Sequence, residues 1–106
     1  MKLNYKKYGD GEPVIILHGI FGMLDNWHSF ASQLGKEYQV ITLDHRNHGR
    51  SPHSKSFTYE NMVGDLHEFI LDQGFKELNL IGHSMGGKTA MHYALKYPET
   101  INQHKI

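Results

Sequence analysis

Three short runs along the chain are almost wholly apolar: Val-Ile-Ile-Leu after Pro13, Val-Ile-Thr-Leu at 40–43 and Leu-Asn-Leu-Ile at 78–81. Runs of this length, rich in branched side chains and lacking alternation, predict strands covered on both faces, as in a parallel sheet. Segments of helical period lie between and after them. Trp27, Phe30, Ala31 and Leu34 share one face of a helix expected over 27–34, with Asn26 as its cap. Tyr59, Met62, Val63, Leu66, Phe69 and Ile70 make a longer apolar face. Thr58 reads as its N-cap, Glu60 suits the helix dipole in the first turn, and Gly74 ends it. A last helix is expected over 85–97, stopped by Pro98. Before all of these, Leu3, Tyr5 and Tyr8 suggest an edge strand with loose alternation, followed by a turn at Gly9-Asp10-Gly11. The order is strand, turn, then strand and helix three times over. It predicts an α/β fold: a mostly parallel sheet with flanking helices.

Composition changes this picture little. The 106 residues suffice for one domain with a core. Eleven basic and eleven acidic residues cancel to a net charge of zero without a block of either sign, which argues against nucleic acid and anionic membrane as partners. The absence of cysteine excludes disulfides and a thiol nucleophile. The start, Met1 to Lys7, lacks a secretion signal, and a cytoplasmic location is expected.

The chemistry resides at Gly82-His83-Ser84-Met85-Gly86, between the third apolar run and the last helix. Gly-x-Ser-x-Gly in that setting is a nucleophile elbow: a turn so sharp that only glycine fits two positions either side of a protruding serine. Two further segments sit at strand ends, where ligands of open parallel sheets bind. His18-Gly19-Ile20-Phe21-Gly22 follows the first run, and a glycine-rich loop there can aim an N–H at a developing oxyanion. Ile20 is the expected donor, with Phe21 as alternative, and Met85 N–H supplies the other. Asp44-His45-Arg46-Asn47-His48-Gly49-Arg50-Ser51-Pro52 follows the second run, where Arg46 is expected to bind loop carbonyls and hold the loop against the glycine-rich turn.

These segments, in this order and after successive strands, resemble the α/β-hydrolase superfamily. Within it, Arg46 to Pro52 and the elbow Gly82 to Lys88 are similar to bacterial YbfF-like esterases, and the similarity runs from about residue 2 to Ile101. The resemblance implies hydrolysis of small carboxylic or thioester substrates through an acyl-enzyme on Ser84, with no metal and no organic cofactor. It places the acid and the histidine base after the elbow helix. Only 22 residues follow Ser84, and none matches either role. The expectation is therefore the N-terminal part of such a domain, residues 1–106, inactive alone. The strand 78–81 should then present an open sheet edge prone to self-association, and the polar tail 101–106 should add nothing to the sheet.

The remaining candidates divide between chemistry and scaffold. His18 and Gly19 are read as structural residues at a strand end, and His83 as buried support beside the elbow. His45 and His48 near Asp44 are spaced as polar loop contacts rather than as metal ligands. Phe21, Met23 and Trp27 are candidates for the substrate pocket, although Met23 and Trp27 suit a cover over the sheet equally well. Lys88 can meet an anionic substrate group, a salt-bridge partner or solvent. Two other functions share these features. One is further chemistry of the same elbow, acyl transfer or carbon–carbon bond hydrolysis. The other is a non-catalytic binding or assembly module that keeps the pocket.

Overall fold

The computed structural model describes residues 1–19 and 22–105. Five strands form one sheet: β1 (Tyr5–Tyr8), β2 (Pro13–Leu17), β3 (Gln39–Leu43), β4 (Leu78–Gly82) and β5 (Ile101–Lys105). Their spatial order is β1-β3-β2-β4-β5. Only β1 runs antiparallel, Tyr5 opposite Leu43; β3, β2, β4 and β5 are parallel. The first and third apolar runs are neighbours, with Ile15 opposite Leu80 and Leu17 opposite Gly82. The strand order reverses between them, since β3 lies on one side of β2 and β4 on the other. The loops after β2 and β4 therefore leave the sheet side by side.

Helix α1 (His28–Leu34) lies on one face of the sheet; α2 (Tyr59–Gln73) and α3 (Met85–Lys96) lie on the other. Side chains alternate along each strand, and the two sets build separate cores. Ile15, Leu17, Ile41, Leu43 and Leu80 pack with Val63, Leu66, Ile70 and Tyr93 of α2 and α3. Ile16 and Val40 pack with Ala31, Trp27 and Leu34. That second cluster is smaller, and Phe30, read as part of its apolar face, is 47% exposed. Among the described residues no helix is long and apolar enough to cross a membrane.

Helix α2 starts where Thr58 was expected to start it. Thr58 Oγ1 accepts from Asn61 N at 3.0 Å, Asn61 Oδ1 accepts from Thr58 N at 3.2 Å, and Gly74 closes the helix at φ 76°. Asn26, by contrast, does not cap α1. It is the third residue of a 3-10 turn, Leu24–Trp27, and its Oδ1 accepts from Met23 N at 2.8 Å. The entry to α1 is tightened by that turn, so the cap falls one turn earlier than the periodicity suggests.

The tail corrects a second expectation. After the turn Pro98–Thr100, residues 101–105 form β5 and pair parallel with β4, Leu78 opposite Ile101 and Ile81 opposite Lys105. The edge of β4 is therefore covered, and the open edge of the sheet belongs to β5. Apolar periodicity cannot reveal such a strand. It is held by the unpaired backbone groups of β4, which accept any side chain, and by Ile101 packing against the larger core.

Candidate active site

The sharpest departure from ordinary backbone is at Ser84, with φ 54° and ψ −114°. A non-glycine residue held there costs on the order of 1–3 kcal/mol, and such strain persists only where surrounding structure fixes it. The glycines fix it here. A Cβ on Gly82 would lie 2.4 Å from Gly86 O, and one on Gly86 would lie 2.2 Å from Leu17 O. Helix α3 thus crosses the ends of β2 and β4 at a distance that bare backbone alone permits. Gly86 N donates to His83 O at 2.9 Å and Lys88 N to Ser84 O at 3.0 Å; among the described residues no carbonyl takes the Met85 N–H. The Ser84 side chain is exposed at this helix start, while Met85 is buried beneath it.

The loop after β2 meets the elbow directly. A Cβ on Gly19 would lie 3.4 Å from Ser84 Cβ and 3.1 Å from the His83 ring. Gly22 N donates to Gly19 O at 3.0 Å. Ile20 and Phe21, the sequence candidates for the second oxyanion donor and for the pocket, lie outside the described residues.

His18 lies at the end of β2 and joins two loops. It is buried, its Nδ1 lies 2.7 Å from Gly19 O, and its Nε2 accepts from His45 N at 3.0 Å. It thereby joins the loop after β2 to the loop after β3. His83 is not the buried support expected. Its N–H donates to Leu17 O at 3.1 Å, extending the β2–β4 ladder, and its side chain is exposed beside Trp27, ring centroids 6.1 Å apart. With β4 ended at Gly82, nothing of the sheet remains to cover that ring.

The loop after β3 explains its own motif. Asp44 Oδ2 accepts from Asn4 Nδ2 at 2.9 Å and Arg50 N at 3.0 Å. Gly49, at φ 51°, lies against that carboxylate, where a Cβ would come within 2.3 Å of Oδ2. Ser51 Oγ donates to Asp44 O at 2.6 Å and accepts from Asn4 N at 2.8 Å. The main partner of Arg46 differs from the one expected. Nε and Nη2 bind both oxygens of Asp65 on α2, at 2.7 and 2.8 Å, and only Nη1 reaches a loop carbonyl, Ser56 O at 2.9 Å. The loop is therefore clamped to α2 rather than to the glycine-rich turn.

Three imidazoles crowd behind this loop. The His18 ring is 4.5 Å from that of His45 and 5.1 Å from that of His48. Burial pushes His45 down to about 3, with the neighbouring His18 and His48 adding to the shift, and burial also lowers His18. His45 Nε2 is buried with no partner among the described residues. The sign for stability follows. Above the ordinary value of 6.5 both states carry neutral imidazole; below it the unfolded chain takes up a proton that folded His45 refuses until about 3. Stability is therefore complete above 6.5 and falls as the pH drops, by about 1.4 kcal/mol per unit for His45. Thermal unfolding from neutral to about pH 5 is expected to show this acid limb, and His45→Phe to flatten it. An unchanged limb in His45→Phe would assign it to other groups.

A cavity of about 260 Å3 opens beside Ser84, walled by Phe57, Tyr59, Met62 and Met85, with Thr58 and Lys88 at its polar side. The sequence did not suggest Phe57 or Met62 for this role. Met23 lies elsewhere, in a polar cleft with Asp44 and Arg50, and Trp27 packs with the smaller core. Neither lines the Ser84 cavity among the described residues.

A parallel sheet with a strained serine at the strand-order reversal, flanked by a glycine-rich loop, defines the α/β hydrolases. The sequence profile of the α/β hydrolase fold matches residues 12–103, and the chain belongs to that family of enzymes. It is 44% identical over 97 residues to an sn-1-specific diacylglycerol lipase, ABHD11, of Danio rerio, covering 90% of this chain and 31% of that protein. It is 40% identical over 97 residues to ethanol acetyltransferase 1 of Cyberlindnera jadinii, covering 90% and 29%. Among solved structures, an esterase from a marine microorganism superposes with a TM-score of 0.93 at 51% identity, over 94% of this chain and 39% of that one. The chain spans about a third of the length of the curated relatives it matches.

Proposed function

We propose that this chain carries the nucleophile side of a serine esterase or thioesterase that acts on small carboxylic ester or thioester substrates. Ser84 Oγ attacks the carbonyl carbon. Met85 N–H and an N–H of the 19–22 loop, that of Ile20 or of Phe21, receive the negative charge that develops on the carbonyl oxygen. The acyl group passes to Ser84, the alcohol or thiol leaves with a proton, and water releases the acid. The base and the acid that move those protons belong, in this reading, to the two-thirds of the relatives' length that the chain does not span. The observation that carries the proposal is the strained Ser84 backbone beside a Met85 N–H that no described carbonyl takes. No cofactor or metal enters the scheme.

The kinship with an alcohol acetyltransferase favours a second reading, in which an alcohol replaces water as acyl acceptor. Both readings share the first half-reaction. A fluorophosphonate tests it, since it phosphonylates an elbow serine irreversibly. Prolonged incubation is expected to modify Ser84 alone among the chain's serines, as read by peptide mass spectrometry, and Ser84→Ala to remain unmodified. Labelling spread over Ser51, Ser54 and Ser84 without preference would leave the non-catalytic binding module as the better account.

A further inference from the structure

The cavity beside Ser84 is apolar on most of its wall, yet Lys88 stands at its edge. The side chain is exposed and forms no ion pair among the described residues. Its own helix offers no partner, because α3, Met-Gly-Gly-Lys-Thr-Ala-Met-His-Tyr-Ala-Leu-Lys, contains no carboxylate. Helix stability does not ask for a cation there either, since the macrodipole favours negative charge at the start of a helix. On α2, which packs against α3, the carboxylate of Asp65 is occupied by Arg46. Among the described residues, then, an ammonium without an ion-pair partner stands at the volume beside Ser84.

Resting on the reading of Ser84 as nucleophile, we propose that Lys88 selects esters or thioesters that carry an anionic group, carboxylate or phosphate, a few bonds from the reacting carbonyl. Lys88 lies four residues after Ser84 on a continuous helix, about 6 Å along its axis. A group at that distance from the carbonyl reaches the ammonium while the intervening methylenes occupy the wall of Phe57, Tyr59 and Met62. The ammonium donates charge-assisted hydrogen bonds to the anion, and a neutral chain of equal length leaves it solvated. The anion belongs either to the acyl part or to the leaving group; the chemistry of recognition is the same.

The test is an amide NMR titration of the 106-residue chain with three intact esters. Monomethyl glutarate carries its charge on the acyl side, 3-acetoxypropyl phosphate on the leaving-group side, and methyl pentanoate carries none. At least one anionic ester is expected to shift the Ser84, Met85 and Lys88 amides with an affinity about fivefold above that of the neutral ester. Which one does so identifies the source of the anion. Lys88→Gln is expected to erase the preference and Lys88→Arg to retain it. Equal affinity for all three esters at those amides would overturn the role of Lys88 while leaving the Ser84 reading intact. A preference that survives in Lys88→Gln would overturn it likewise. Failure of every ester to move those amides would overturn both.

Discussion

Asp65→Ala is expected to destabilise the chain by about 3–5 kcal/mol, and Arg46→Met by a similar amount. Both partners are buried, with side-chain exposures of 11% for Arg46 and 6% for Asp65. Each single change leaves one charge away from water with its counter-ion gone. In Asp65→Ala the guanidinium also loses two hydrogen bonds. A loss of that size is a large share of the roughly 5–15 kcal/mol that holds an ordinary domain folded. The double variant Arg46→Met, Asp65→Leu is expected to recover most of it, because apolar groups of similar volume leave no charge unpaired. Urea unfolding of the three variants reads the effect. Single variants within about 1 kcal/mol of the parent would show that the pair behaves as an exposed one. A double variant as unstable as its parents would show that the Arg46 bond to Ser56 O, rather than the ion pair, holds the loop.

That pair also marks where sequence reading stops. Arg46 was legible as scaffold because it stands in a recognisable loop, whereas Asp65 was passed over on a helix read for its apolar face. The signal was present. Asp65 falls three residues after Met62 and one before Leu66, inside the stripe that meets the core, and a carboxylate there requires a cation. Strands β2, β3 and β4 were legible because a strand buried on both faces must be apolar throughout. Strand β5 was not, because its place is set by the pairing groups of β4 rather than by its own side chains.

The site divides in the same way. The elbow could be placed from local sequence because its geometry is local: Gly82 and Gly86 meet backbone within a few residues of Ser84 or at the neighbouring strand end. The cavity could not, because it is built from segments distant in sequence. Phe57 comes from the loop before α2, Tyr59 from the start of α2 and Met85 from the start of α3. Chain proximity pointed instead to Met23 and Trp27, which follow the glycine-rich loop but turn away with α1. The exposure of His83 has a related cause. A residue next to a buried turn is expected to share its burial, but the strand ends at Gly82 and the ring passes to solvent.

The 106-residue chain is expected to hydrolyse an activated ester such as p-nitrophenyl acetate with negligible turnover, far below the roughly 10 per second of a median enzyme. A serine hydroxyl is a poor nucleophile until a base takes its proton. Most histidines of the chain are engaged elsewhere. His18 and His45 are buried behind the loops and joined to each other, and His48 Nδ1 lies 2.9 Å from Arg46 O. His28 Nδ1 lies 2.9 Å from Tyr8 OH, His67 stacks on Tyr97 at 3.8 Å, and His92 stacks on Tyr59 at 5.2 Å. His53 is exposed in the loop before α2, and His104 lies on β5. His83 is the neighbour of Ser84, yet its backbone is fixed to Leu17 and its ring lies beside Trp27. Among the described residues no imidazole and no carboxylate is hydrogen-bonded to the Ser84 hydroxyl. Scaffolds that have lost triad members keep an acceleration of about 10³–10⁴ over water from oxyanion hole and binding. That residue of activity is the ceiling expected here. The measurement is hydrolysis by purified chain against Ser84→Ala and His83→Ala controls. Turnover of an ordinary esterase, lost in Ser84→Ala, would place a base within reach of Ser84. If His83→Ala abolished it too, the base would be the elbow's own histidine. If it did not, the base would be another histidine of the chain or one of a second copy, and activity rising with the square of chain concentration would mark the second copy.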